Sequence, residues 1–111
     1  MACNCQNITR VYIGNIAADA GNTFLIATPN RTTVADNKEK LSFIFTVGCP
    51  AGGEALPVFA VINGANVPIY DKYGNKLLGV SIKTRRNIHA YYGSNGATGA
   101  HIQFTNFPCE G

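Results

Sequence analysis

The fold is decided by residues 56–92, which read LPVFAVINGANVPIYDKYGNKLLGVSIKTRRNIHAYY. An apolar run, Val58–Ile62, stops at Asn63-Gly64, and a second apolar run, Val67–Tyr70, follows. Asn-Gly between two apolar runs is a strong hairpin signal, because a type I′ turn needs two residues that tolerate positive φ. We therefore predict a β-hairpin, and the first run, apolar at every position, predicts a central strand covered on both faces.

Residues 80–92 alternate between polar and apolar side chains and predict one long strand. Polar side chains take the odd positions from Lys83 onward, and Arg86 breaks the pattern by falling on the apolar face. A charge on an inward face has to be paired, so we expect Arg86 to meet a carboxylate across a subunit boundary. The predicted interface comprises Lys83, Arg85, Arg86, Tyr91 and Tyr92.

The remaining patterns also predict strands, at residues 8–13, 23–28, 41–47 and 100–107. Turn residues recur about every ten positions, and no apolar periodicity typical of a helix runs for two turns or more. The sequence therefore predicts an all-β fold: a single antiparallel β-sandwich or barrel, jelly-roll-like, of about seven or eight strands. Residues 1–7 read as a flexible N-terminal arm, and residues 8–111 as a single β domain.

Composition limits the classes of partner. Charged residues are 14% of the chain, against roughly 25% in soluble domains, which favours an exterior that faces other protein. The net charge of +3 comes without a basic stripe, so no nucleic-acid partner is predicted. No apolar run approaches the roughly 20 residues of a membrane span. The first residues lack a basic region followed by an apolar one, which predicts synthesis in the cytoplasm without a secretory signal.

Four cysteines, Cys3, Cys5, Cys49 and Cys109, raise the question of a metal. Paired zinc ligands are usually separated by two to four residues, whereas one residue separates Cys3 from Cys5 and the other two are isolated. We predict no metal and no other cofactor. Disulfides remain open, within one chain or between neighbouring copies after release into oxidising surroundings, and so do reduced thiols.

Catalytic groups are sparse. Nucleophilic catalysis needs a base within reach of a cysteine or serine, but His89 and His101 each fall on the polar face of a predicted strand. The six acidic residues lie in predicted loops or at the terminus. The glycine-rich residues 93–99 are not followed by the Lys-Ser/Thr pair of a phosphate-binding loop. We therefore predict that the protein is not an enzyme.

A resemblance rests on Val61–Gly64, Val67–Asn75 and Ile82–Arg86, with Phe107-Pro-Cys109 near the end of the chain. Together with the arm around Cys3-Asn-Cys5, these motifs resemble short, cysteine-bearing proteins encoded among the structural genes of tailed bacteriophages of gut bacteria. The resemblance covers roughly the C-terminal half and the arm. It implies a homo-oligomeric auxiliary capsid (head decoration) protein of the virion, which binds the major capsid protein or other virion proteins on the assembled lattice.

Two other functions fit the same residues. A self-assembling extracellular fibre or spore-appendage subunit would cross-link Cys3 and Cys5 to Cys49 or Cys109 of neighbouring copies. A carbohydrate-binding β module would use aromatic side chains as stacking surfaces, and the candidates for this role are Tyr70, Tyr73, Tyr91 and Tyr92. Gel mobility with and without reductant separates the fibre, and glycan binding separates the carbohydrate module.

Overall fold

The structure of the protein, a computed structural model, describes residues 9–34, 38–93 and 99–105. These residues contain a short 3₁₀ turn, Gly79–Ser81, and no helix long and apolar enough to span a membrane. Their strands are β1 (Thr9–Ala18), β2 (Leu25–Pro29), β3 (Glu39–Phe45), β4 (Val58–Ile62), β5 (Ala65–Tyr70), β6 (Ile88–Gly93) and β7 (His101–Phe104). The predicted arm, residues 1–7, lies outside the described residues.

The strands close into one barrel in the order β1-β2-β4-β5-β7-β6-β3, and β3 pairs back onto β1. Three neighbouring pairs are parallel, namely β1 with β3, β2 with β4 and β5 with β7, while the other pairs are antiparallel. The predicted all-β class and strand number are confirmed. Of the predicted sandwich or barrel, the structure shows the barrel. The prediction of a purely antiparallel, jelly-roll-like arrangement is wrong, because long connections carry the chain past neighbouring strands and so create parallel pairs.

The two ends of the barrel are built differently. Residues 46–57 cross one end from β3 to β4, and residues 71–87 cross the same end from β5 past β7 to β6. We call this the crossover end. The opposite end, which we call the hairpin end, carries residues 30–34 and the turn Asn63-Gly64 between β4 and β5.

Alternate residues of each strand fill the interior. On β3 these are Leu41, Phe43 and Phe45, as the sequence pattern predicts, and all three are fully buried. The Phe43 ring meets the rings of Phe45 and Phe104 edge-on, with centroids 6.4 and 6.0 Å apart. Edge-to-face contacts of this kind add to the stabilisation from burial alone. The interior is therefore a solid apolar core.

The hairpin predicted at Asn63-Gly64 is confirmed. Ile62 pairs with Ala65, which leaves a two-residue turn, and both turn residues have positive φ (52° and 79°). The first strand of the hairpin, β4, is not covered on both faces as predicted. Its outward residue Phe59 is only half-buried and packs against Phe24, with 5.1 Å between the ring centroids.

The predicted strand at residues 80–92 is wrong in its first half, since β6 begins only at Ile88. The preceding residues cap the crossover end instead, and their backbone groups bond to other segments. Gly79 N donates to Leu56 O at 2.9 Å, and Arg85 N donates to Phe45 O at 2.9 Å. Arg85 adopts a left-handed φ of 61°, which interrupts any regular strand.

Candidate interaction surfaces

The crossover end exposes large apolar side chains. Among the described residues, four large hydrophobic side chains are exposed, and three of them lie in residues 71–87. Tyr73 is 76% exposed, Val80 is 63% exposed and Leu78 is 37% exposed. Single apolar side chains at a surface are ordinary, but several within one short segment indicate a contact surface.

Local backbone chemistry explains why Tyr73 points outward. The Asp71 carboxylate accepts hydrogen bonds from the backbone N–H groups of Tyr73 and Asn75, both at 2.9 Å. A carboxylate that bonds to the following backbone in this way stabilises a tight turn. Gly74 supplies the positive φ, 87°, that the turn requires. The tyrosine is therefore held at the tip of the turn.

Buried and exposed residues alternate along the segment Leu77–Val80, although it does not form a strand. Leu77 and Gly79 are buried, while Leu78 and Val80 face solvent. A Cβ at Gly79 would overlap the carbonyl oxygen of Gly53 and would lie 2.7 Å from Cys49 Sγ. Because the backbone itself packs against the loop 46–57 here, the side chains on either side of Gly79 are directed outward.

Basic side chains surround these apolar ones. Residues 71–87 carry five of the nine lysines and arginines of the chain and a single acidic residue, Asp71. All five cations are exposed: Lys72, Lys76, Lys83, Arg85 and Arg86. Within the described parts of the chain, the ion pair between Arg31 and Glu39 lies at the hairpin end. Residues 71–87 therefore combine exposed apolar side chains with an excess of positive charge.

A groove of about 370 Å³ opens beside the Asp71 turn. The ammonium of Lys72 lies 5.3 Å from the centre of the Tyr73 ring at its rim, a favourable cation–π distance. The residues that line the groove are Asp71, Lys72, Tyr73, Leu77, Ser81, Lys83, Ile88, Phe104 and Thr105.

The predicted interface residues do not form one face. Lys83, Arg85 and Arg86 lie together in the crossover segment and are exposed, whereas Tyr91 is half-buried on the outer wall of β6. Tyr92 is only 6% exposed, inside the barrel, and its hydroxyl oxygen lies 3.4 Å from the Asn63 amide nitrogen that donates to it. The expectation of an inward Arg86 is wrong, because the strand on which it rested does not form.

Sequence reasoning named Tyr73 only as a possible carbohydrate-stacking residue and missed Leu78 and Val80 as surface residues. The alternation of polar and apolar residues predicts a strand over residues 80–92, and such a strand would bury Val80 on its apolar face. The signal that could have identified the segment is its composition, since apolar residues stand among lysines between two turn motifs.

A second surface lies on the outer wall of the barrel, where β5, β7 and β6 are neighbours. Tyr70 and Tyr91 both pair in register with Gln103, so the three side chains form a row across the wall. His101 lies on the same face of β7, with its ring centroid 5.9 Å from that of Tyr70 and 6.2 Å from that of Tyr91. Of the four tyrosines predicted for carbohydrate binding, the structure brings two together here.

Space for the imidazole comes from Gly93, the partner of His101 on β6. A Cβ at Gly93 would lie 2.5 Å from His101 Cε1, closer than atoms that are not bonded can approach. Next to the ring is a recess of about 240 Å³, bounded by Tyr70, Gly74, His101 and Gln103.

Only Cys49 of the four cysteines lies within the described residues. Its thiol is free and half-buried, and Sγ lies 3.2 Å from the Pro50 carbonyl oxygen to which it donates. Burial, and secondarily the charge of Glu54, raises the pKa of the Cys49 thiol above its usual range. A raised pKa lowers the fraction of reactive thiolate. The described residues contain no group of three or more His, Cys, Asp or Glu side chains that could hold a metal ion.

Comparisons with protein-family models, with curated proteins and with solved structures give no match to this chain.

Proposed function

We propose that this chain is an auxiliary capsid protein of a tailed bacteriophage, which binds the assembled capsid lattice as part of the virion. Its partners in this role are the major capsid protein or other virion proteins, and copies of itself. The motif resemblance in the C-terminal half of the chain supports this proposal. So does a charged fraction of 14%, well below that of an average soluble domain.

The observation that carries the proposal is the surface of residues 71–87. Tyr73, Leu78 and Val80 are exposed there and cations surround them. Protein interfaces commonly have an apolar centre with aromatic residues and a polar rim. The crossover end has this composition, and the barrel behind it holds the surface in one shape before binding.

The positive charge of this surface indicates the charge that its partner surface should carry. Five exposed cations and one acidic residue in the segment require a complementary acidic surface on the capsid subunit. Opposite charges at the rim of an interface mainly raise the association rate, and salt screens them. Binding to capsids should therefore weaken as the salt concentration rises, whereas the apolar contacts should persist.

Cosedimentation with capsids tests the proposal. Purified protein is mixed with capsids assembled from the major capsid protein of the same phage genome, and the bound fraction is measured on a density gradient. We expect the wild-type protein to migrate with capsids and Val80→Asp to remain at the top, because the substitution places a charge at the apolar centre. Tyr12→Asp is the matched control, since Tyr12 is also exposed but lies on β1.

Further variants and conditions separate the alternatives. Arg86→Ala and Lys83→Ala should weaken binding to a similar degree, because both side chains are exposed. A monomer without affinity for capsids would refute the proposal, and unchanged binding by Val80→Asp would refute the assignment of the surface. Covalent ladders on a gel without reductant would instead favour the cross-linked fibre, a role to which the half-buried Cys49 thiol is poorly suited.

A further inference from the structure

We propose that the recess on the outer wall, formed by Tyr70, His101 and Gln103, binds one ring of a neutral sugar. The recess lies on the outer wall and borders the capsid-binding surface at Gly74, and the inference rests on the rings and hydrogen-bonding groups that line the recess.

Aromatic side chains give the recess an apolar wall. The rings of Tyr70 and Tyr91 lie on either side of the His101 imidazole, at 69° and 74° to its plane. Edge-on contacts hold all three rings in place, so little conformational freedom remains to be lost when a ligand binds. The apolar C–H face of a sugar ring can pack against the Tyr70 ring that borders the recess.

His101 contributes a hydrogen-bond acceptor. Its Nδ1 atom lies 3.1 Å from the carbonyl oxygen of Gly99. A carbonyl oxygen only accepts, so Nδ1 carries the proton in this contact. In the neutral imidazole the other nitrogen, Nε2, is then an acceptor.

Gln103 contributes a second acceptor by the same reasoning. Its amide nitrogen donates to the carbonyl oxygens of Asp71 at 2.6 Å and of Phe104 at 2.8 Å. Those two bonds use both protons of the amide group, so the remaining hydrogen-bonding capacity of the side chain is the acceptor Oε1. A ligand that satisfies both acceptors must present donors, and neighbouring hydroxyl groups of a sugar do so.

Charge restricts the ligand to a neutral molecule. Two acceptors disfavour a carboxylate, which carries no proton to donate at neutral pH and would leave both acceptors unpaired. A cationic ligand would be repelled by Lys72 and Lys76, which lie in the same turn as Gly74 at the edge of the recess. A neutral polyhydroxylated ring is therefore the class that fits.

The size of the recess sets the length of ligand that it can hold. Pockets for drug-sized molecules usually exceed roughly 300 Å³, and this recess measures about 240 Å³. It can accommodate one ring, such as the terminal residue of a glycan whose remaining residues extend into solvent. The absence of a side chain at Gly74 keeps the edge open on that side.

The test is a titration of the folded protein with neutral methyl glycosides, followed by NMR chemical shifts of the backbone amides. We expect saturable shifts centred on β5 and β7 with at least one of the common hexoses or N-acetylhexosamines. Tyr70→Ala should weaken the affinity by about fivefold or more, because it removes the stacking surface. Tyr70→Phe keeps the ring and should retain most of the affinity.

Tyr73→Ala is the matched control, because Tyr73 is the more exposed tyrosine but lies in the other groove. Should Tyr70→Ala fail to fold, the shift map of the wild-type protein and the Tyr70→Phe titration still decide the question. Absence of binding to any neutral glycoside, shifts centred elsewhere, or equal binding of sialic acid or inorganic phosphate would each overturn the proposal. A loss of sugar binding by Tyr70→Ala with capsid binding intact would show that the two surfaces act separately.

Discussion

The two ends of the barrel are closed by different kinds of interaction. At the crossover end, backbone packs on backbone: Gly79 fits against Gly53, and Val58 N donates to Leu77 O at 2.9 Å. At the hairpin end, backbone bonds such as that from Asn63 N to Thr32 O, at 2.6 Å, are supplemented by side-chain contacts. The Asn63 carboxamide bonds to both the N–H and the carbonyl oxygen of Val34, each at 2.9 Å.

The difference affects which side chains remain exposed at each end. Hydrogen bonds at the hairpin end engage the Asn63 side chain and the pair Arg31–Glu39. At the crossover end the backbone closes the barrel, and the side chains of Tyr73, Leu78 and Val80 are left exposed. A segment closed by its own backbone can present its side chains to another molecule. This comparison supports placing the contact surface at the crossover end.

The largest expected effect is that of Gly79→Ala. A Cβ there would overlap the Gly53 carbonyl and crowd Cys49 and Leu25, so the two crossing segments would have to separate. We expect a loss of about 3 kcal/mol in the free energy of unfolding, measured by urea denaturation. Gly48→Ala is the control at the same end, because its Cβ would make an ordinary 3.9 Å contact with Thr84. Equal stability of the two variants would contradict closure by backbone packing.

At the hairpin end the corresponding variant is Asn63→Gly. Glycine accepts the left-handed φ of 52° at this position but loses the three side-chain bonds to Val34 and Tyr92. We expect a loss of about 2 kcal/mol, because partly buried partners would be left unsatisfied. Asn66→Gly on the exposed face of β5 carries the same change in chain entropy and serves as the control. A loss no greater than that of the control would show that side chains do not close this end.

A carboxylate at the crossover end offers a test by pH. Asp19 accepts bonds from the backbone N–H groups of Gly21, Thr23 and Phe24, at 3.1, 2.5 and 2.9 Å. The bond from Phe24 is the main cause that holds the pKa of Asp19 below its ordinary value of 3.8; burial opposes it, and the bonds from Thr23 and Gly21 add to it.

Because the folded-state pKa of Asp19 is lowered, its stabilising effect is present well above pH 3.8 and disappears as the pH falls through the lowered value. We expect Asp19→Asn to lower the Tm by a few degrees at pH 7 and by much less near pH 2. Thermal melts followed by circular dichroism check this, with Glu54→Gln as the control at the same end. A Tm difference that does not change with pH would show that the charge of Asp19 contributes nothing.

Much of the barrel wall could be predicted from the sequence. Alternation in residues 41–47 identified the inward side chains of β3, and Asn63-Gly64 located the hairpin. Both signals are local, since a strand buried on one face needs period-two alternation and a two-residue turn needs positive φ. The order of neighbouring strands depends on the long connections between them. Local sequence patterns do not specify this order.

The two surfaces could be predicted only in part, for the same reason. Tyr70 and Tyr91 are far apart in the chain, and only the registers of β5 and β6 on β7 bring them to Gln103. At the crossover end, buried and exposed residues alternate over positions 77–80 because of packing around Gly79. The result resembles the pattern of a strand. Alternation in residues 80–92 predicted an inward Arg86, but only the residues from Ile88 onward form the strand.

The smallest expected effect is at the ion pair of the hairpin end. Arg31 Nη1 lies 2.6 Å from Glu39 Oε2, with the arginine side chain 36% exposed and the glutamate side chain 15% exposed. Solvent screens such a pair, so we expect a coupling of about 0.5 kcal/mol from a double-mutant cycle of Arg31→Met and Glu39→Gln. The glutamine keeps an acceptor for the Thr9 hydroxyl, which lies 3.3 Å from Glu39 Oε2, so the cycle reports on the charge pair. The coupling should shrink further in 1 M salt. A coupling of about 2 kcal/mol that salt leaves unchanged would mean that this charge pair, rather than the neutral bonds of Asn63, closes the hairpin end.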